Sequence, residues 1–335
     1  TNPSRFNPLV ANITYMPRDN KTTSIQSWFF SAQRELWKNV VVDLAYVGNK
    51  TKDSLLFANY NQAVPNNAAG TIPLAARRPI PEYGDITYAF NGGKSAYNSF
   101  QMRLEGRRGS VTFLSSLTIS KAKDNGAGSL ENPNGNFPAP QDINNLDAEY
   151  TTSAFDQPWN STISVIWQLP FFKSNKILGG WQIAAINNMW AGEAVTFQYT
   201  PAAAYVVSGI AQDFRGANNY RPNIVCEPTL PADQRTVARY FDPACVQVPT
   251  NPSQPFGNAA RNTARGDSIY QLDMALLKSF EMFKGKRLEL RIEAFNILNK
   301  TNFRAPNGNR SSAAFGSITA TYDPRQIQLG AKFVF

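Results

Sequence analysis

Three observations predict an all-β chain forming an antiparallel transmembrane barrel of the outer-membrane kind. Apolar and polar residues alternate with period two, and short turn-rich links alternate with long Pro-, Asn- and Gly-rich ones. No apolar run approaches the roughly 18–20 residues that a membrane helix needs. Composition agrees: charged residues are 17% of the 335 and aromatics 12%. An ordinary soluble domain carries about 25% charged residues. The mean hydropathy of −0.35 is what two-faced strands give, because only every second residue meets lipid.

Nine strands are expected, at about 23–36, 39–50, 96–107, 110–122, 157–169, 180–199, 266–280, 286–298 and 325–335. Phe100, Met102 and Leu104 alternate with Gln101, Arg103 and Glu105, and Leu117 and Ile119 alternate with Thr118 and Ser120. Trp159 and Trp167 share a mostly apolar face. Eight residues apart on a tilted strand, they sit ~20 Å apart along the membrane normal, close to the spacing of two interfacial aromatic girdles. The 180–199 segment is irregular: Ile186-Asn187-Asn188-Met189 breaks the alternation, and Gly192 marks an expected bulge. Tyr270, Leu272, Met274 and Leu276 oppose Gln271 and Asp273. The cleanest strand is Leu288 to Ala294, with Leu, Leu, Ile and Ala on one face and Glu289, Arg291 and Glu293 on the other.

Short links fall at Trp37-Lys38-Asn39, Arg108-Gly109, Phe171 to Gly179 and Glu281 to Gly285. The connections between them, 51–95, 123–156, 200–265 and 299–324, are long, which is the asymmetry of periplasmic turns and extracellular loops. The chain is thus expected to be one barrel segment, 1–335, with residues 1–22 and the long links extracellular. Its strands fall within 23–50, 96–122, 157–199, 266–298 and 325–335. Nine strands that start outside do not close an antiparallel barrel, which normally has an even count. Either Leu9 to Met16 adds a tenth strand, or the chain is part of a longer barrel; its poor alternation favours the second.

The sequence contains no His, which excludes imidazole bases, His-dependent nucleophiles and HExxH metal sites. No catalytic, cofactor or metal set is expected. Lys123-Asp124-Asn125-Gly126 and Asn307-Gly308-Asn309 read as turns rather than Ca²⁺ loops. Net charge is +9, but the cations are scattered, so nucleic acid is not an expected partner. Cys226 and Cys245, in a Pro/Asn-rich stretch, favour a disulfide outside the cytosol over two unpaired thiols. Asp273, Glu289, Arg291, Glu293, Gln328 and Lys332 form a polar set expected to face the lumen. There they line a path or dock a plug, or simply pair as ion ladders between strands.

The end of the chain sharpens this. Ile327, Leu329, Phe333 and the final Phe335 occupy one face, which resembles the signal by which barrel-assembly machinery recognises outer-membrane barrels. Phe256 to Gly266, Leu272-Asp273, Arg291 to Phe303, Phe315-Gly316 and Pro324 to Gly330 resemble the closing part of TonB-dependent transporters of the Oar-like group, which carry a carboxypeptidase-regulatory-like domain. Trp28 to Gly48 and Tyr97 to Asp124 resemble that group too. The resemblance implies part of a ~22-stranded barrel in the outer membrane of a Gram-negative bacterium. It also implies lipid around the barrel, an N-terminal plug and further strands of the same protein, a TonB-type energy-coupling protein, and an extracellular ligand of unknown identity. The alternative is a structural or adhesive surface barrel that transports nothing.

Overall fold

The computed structural model describes residue 7 and residues 13–65, 72–126, 140–172, 175–200, 220–251, 253–282 and 285–335. Among the described residues, nine strands form the meander of an 11-stranded sheet, with Ile13–Tyr15 and Thr151–Thr152 as short side pairings: β1 (Ser24–Trp37), β2 (Val40–Asn59), β3 (Ile86–Arg108), β4 (Val111–Asp124), β5 (Trp159–Gln168), β6 (Trp181–Trp190), β7 (Ile269–Glu281), β8 (Arg287–Phe295) and β9 (Gln326–Val334). Each is hydrogen-bonded antiparallel to its neighbours in sequence, giving an up-and-down meander. The sheet does not close, and β1 and β9 are its edges.

The tight hairpins follow from residues that tolerate a left-handed backbone. Asn39 (φ 64°) turns β1 into β2, and its N–H donates to the Glu35 carboxylate at 2.9 Å; Gly109 (φ 60°) turns β3 into β4. The first long link is shorter than expected because both strands beside it run on. β2 continues to Asn59 and β3 starts at Ile86, leaving 60–85 instead of 51–95. Polar Asn49 to Asp53 suggests a strand end, but Asp53 adopts φ 55° and the register shifts around it. The run is a bulge within the strand.

The expected 180–199 strand stops at Trp190. Gly192 marks no bulge: a side chain there would meet the Gly266 carbonyl at 2.1 Å, so the glycine permits two backbones to touch. Beyond it the chain leaves the sheet, and Ala194–Val195 pairs with Ala264–Arg265 in a ladder of its own. Ile13–Tyr15 lies parallel to Ile86–Tyr88, so it is not a meander strand; Leu9 to Asn12 lie outside the described residues, as do Lys173 and Lys284.

Register fixes which residues share a face. One face carries Val42, Leu44, Tyr46, Phe100, Met102, Leu104, Phe113, Leu117, Ile119, Trp159, Ile163, Val165, Trp167, Ile183, Met274, Leu276, Leu290, Ile292, Leu329 and Phe333. The other carries Gln33, Asp43, Gln101, Arg103, Glu105, Ser116, Thr118, Thr162, Asn188, Asp273 and Glu293. Leu329 is 75% exposed and Ile327 67%. Except for Val40, the buried apolar residues lie at or beyond the strand ends nearest the long links. Among the described residues, no protein core lies against the apolar face of the sheet's body, an exposure that suits a face turned to lipid.

Candidate functional site

The long links fold onto the strand ends as one packed module. Val195, Phe197, Tyr240, Phe241, Val246, Ala264 and Ile318 form its largest core, drawn from two of the long links. Leu56, Ala58 and Phe90 on the β2–β3 hairpin pack against Ile143 and Leu146. Cys226 and Cys245 are joined in a disulfide, Cα atoms 4.9 Å apart, just outside the Asn223–Ile224 and Val246–Gln247 ladder.

At the centre lies a buried ion cluster. Arg221 grips Glu149 bidentately, Nη1 to Oε2 at 3.0 Å and Nη2 to Oε1 at 2.6 Å, and donates Nε to the Ala259 carbonyl at 2.7 Å. Arg261 donates Nη2 to the Asp124 carboxylate at 2.7 Å and to the Asp124 and Glu149 carbonyls at 2.9 Å each. Its Nε stands 3.3 Å from Glu149 Oε2. All four side chains are nine-tenths or more buried. Two guanidiniums against two carboxylates balance, and each hydrogen bond helps offset the desolvation of burying charge. Asp124 ends β4, whereas Glu149, Arg221 and Arg261 come from two long links, so the cluster ties those links to the sheet.

Beside it, Asp156 accepts from the Ala122 N–H at 2.6 Å and pairs with Lys121 at 3.2 Å and with Arg265. A cleft of about 410 Å³ opens here, lined by Lys121, Thr152, Arg235, Tyr240, Asn262 and Arg265, among others. Tyr240 donates to Asp267 at 2.9 Å, and Arg235 reaches the same carboxylate at 3.2 Å. Burial, then the bond to Asp267, push the Tyr240 phenol up to about 12. It stays a neutral donor. The cleft thus offers three cations, hydroxyls and an amide, a lining suited to an oxygen-rich ligand.

The sequence-predicted residues lie elsewhere. Asp273, Glu289, Arg291, Glu293, Gln328 and Lys332 all fall on the polar face. Their ion pairs run along one strand, Arg287–Glu289 at 2.7 Å and Arg291–Glu293 at 3.7 Å, rather than across strands. Trp159 and Trp167 lie on the apolar face at opposite ends of β5, as do Ile327, Leu329 and Phe333 on β9. Sequence reasoning missed the ion cluster, although Phe256 to Gly266 supplies Arg261, Asn262 and Arg265. Asp124 and Asn125, expected in an open turn, are buried, and Asn125 Oδ1 accepts from the Lys94 N–H at 2.7 Å.

A family model described as an outer membrane beta barrel domain matches residues 1–328. The chain belongs to that family. No curated protein matches it. Among solved structures, the outer membrane transporter YddB from Escherichia coli is 13% identical with a TM-score of 0.50, over 96% of this chain and 34% of that one. The FrpB iron transporter from Neisseria meningitidis is 10% identical with a TM-score of 0.43, over 96% and 32%. At such identities the likeness to YddB shows the fold alone. This outer-membrane barrel domain spans about a third of the length of those transporters.

Proposed function

We propose that this domain is the closing part of a TonB-dependent receptor barrel of the Oar-like group, which captures a ligand outside the cell and admits it past an N-terminal plug. One observation carries the reading: the long links are locked by buried charge into a packed module with a cleft lined by cations and hydroxyls. A preorganised binding surface spends less of its binding energy on ordering loops. In this arrangement the apolar face meets lipid, with Trp159 and Trp167 at its two interfaces. The polar set from Asp273 to Lys332 faces the lumen and the plug. Ile327, Leu329, Phe333 and Phe335 are what the assembly machinery reads. Residues 1–22 and the long links are extracellular, and a TonB-type protein supplies energy through a region outside this chain.

Site-specific cross-linking of the full-length protein in intact cells tests the coupling. A cross-linked product with the energy-coupling protein is expected. Its absence, with the barrel folded in the outer membrane, would leave a structural or adhesive barrel as the better account.

A further inference from the structure

Five lysines crowd one corner of the apolar face. By register, Lys50 and Lys52 on β2, Lys94 on β3, and Lys121 and Lys123 on β4 all share the face of Tyr46, Phe100 and Ile119. All five are exposed. Lys52 lies directly opposite Lys94, and Ala96 stands between Lys50 and Lys123 in one cross-strand row. Like charges directly opposite destabilise a strand pair. Carboxylates relieve only two of them: Asp147 pairs with Lys94 at 3.4 Å and Asp156 with Lys121 at 3.2 Å. Among the described residues, Lys50, Lys52 and Lys123 form no ion pair.

Position bears on which anion these lysines would meet. Phe30, Tyr46, Phe100, Ile119 and Trp159 make one continuous cross-strand row at the border of the apolar band. Lys50 and Lys123 lie four residues beyond it, and Lys52 and Lys94 six. At ~3.3 Å per residue and ~40° tilt, their ammonium groups stand ~10–15 Å past the aromatic border, at the depth of lipid headgroups. Their methylene stems can cover apolar surface while the charged heads reach outward. The patch spans three strands, ~10 Å, wide enough for two phosphate groups at once.

We propose that Lys50, Lys52, Lys94 and Lys123 bind the diphosphorylated headgroup of an outer-leaflet glycolipid. The site rests on the reading above that the apolar face meets lipid with the long links outward. Binding there fixes the height of the β2–β3 hairpin in the membrane.

The test uses the detergent-purified full-length protein and diphosphoryl lipid A, its monophosphoryl form, phosphatidylcholine and inorganic phosphate as probes, read by native mass spectrometry. Diphosphoryl lipid A is expected to bind tightest. K50Q/K52Q/K94Q/K123Q should weaken it at least about tenfold, because each surface lysine contributes a comparable electrostatic increment. R107Q/R108Q, at the short-turn end, should leave it unchanged. Equal binding of lipid A by the quadruple variant and the parent overturns the proposal. So does equal affinity for phosphatidylcholine, or full displacement by millimolar inorganic phosphate, which makes the site one for free anions. Heat-modifiable migration of each variant on gels reports the barrel separately. A parent that neither shows it nor partitions into detergent would sink the membrane reading instead.

Discussion

At the residue scale, two of the charge-bearing sites of the long-link module behave differently. Glu149 serves both Arg221 and Arg261, so removing it leaves Arg221 buried without a carboxylate and Arg261 with Asp124 alone. Glu149→Ala is expected to cost about 3–5 kcal/mol of local stability, the range for breaking a buried pair. Hydrogen exchange at Thr151, Thr152 and Gly257 should rise steeply while mid-strand amides of β7 and β8 stay protected; unchanged exchange in the module would refute the central role of Glu149. Glu193 is a milder case. Burial raises its pKa, but hydrogen bonds from Arg304 (2.9 Å), Tyr322 (2.9 Å) and the Ala305 N–H (3.4 Å) outweigh that and hold it below the ordinary value. A carboxylate depressed in the folded state contributes stability above its unfolded pKa and loses it as pH falls through the folded one. The parent should therefore be more stable than Glu193→Gln at pH 6–7, and the two should converge as the pH falls below the ordinary carboxylate range. Tryptophan fluorescence can follow this, because the Trp190 and Tyr322 rings meet edge to face at 6.1 Å. A gap between the two that does not narrow on acidification would contradict it.

At the element scale, the strands were legible because period-two alternation is local. The Leu288–Ala294 pattern maps onto β8, whose neighbours Leu276 and Leu329 fall on the Ile292 face. Strand ends were less legible. Asn49 to Asp53 is chemically turn-like, and only the partner Lys94-to-Asn91 backbone turns it into a bulge. The ion cluster was illegible for a related reason. Asp124, Glu149, Arg221 and Arg261 are up to 137 residues apart, and nothing local marks which of the many charged residues will be buried. The cysteine pair is the exception, since two thiols alone leave one pairing. Its bond closes a 19-residue separation, for which chain entropy gives ~3 kcal/mol. Cys226→Ser/Cys245→Ser should speed proteolytic cutting between residues 227 and 244 while the barrel strands remain intact. Equal cutting rates would show that the Thr229–Phe241 bridge and the Tyr240–Gly316 hydrogen bond already hold the segment.

At the scale of the whole molecule, the meander poses a closure problem that its strand count makes concrete. Nine consecutive antiparallel strands leave β1 and β9 running in the same direction. Joining them would create a parallel seam in an otherwise antiparallel sheet, against the even-numbered, all-antiparallel rule of bacterial barrels. Leaving them open in lipid is worse, because each unpaired backbone group there costs several kcal/mol. Both edges carry exposed apolar residues, Phe30 and Trp37 on β1 and Leu329 and Phe333 on β9, so both continue the apolar band. In the reading proposed above, further antiparallel strands, odd in number, complete the ring. The prediction is that residues 1–335 produced alone in lipid vesicles will not give the heat-modifiable band of a closed barrel, whereas the full-length protein will. An oxidised cross-link from Ala32→Cys/Leu329→Cys in that full-length protein, with its native disulfide retained, would place β1 against β9 and defeat this account. Failure of that pair to cross-link in a heat-modifiable barrel would show that other strands stand between them.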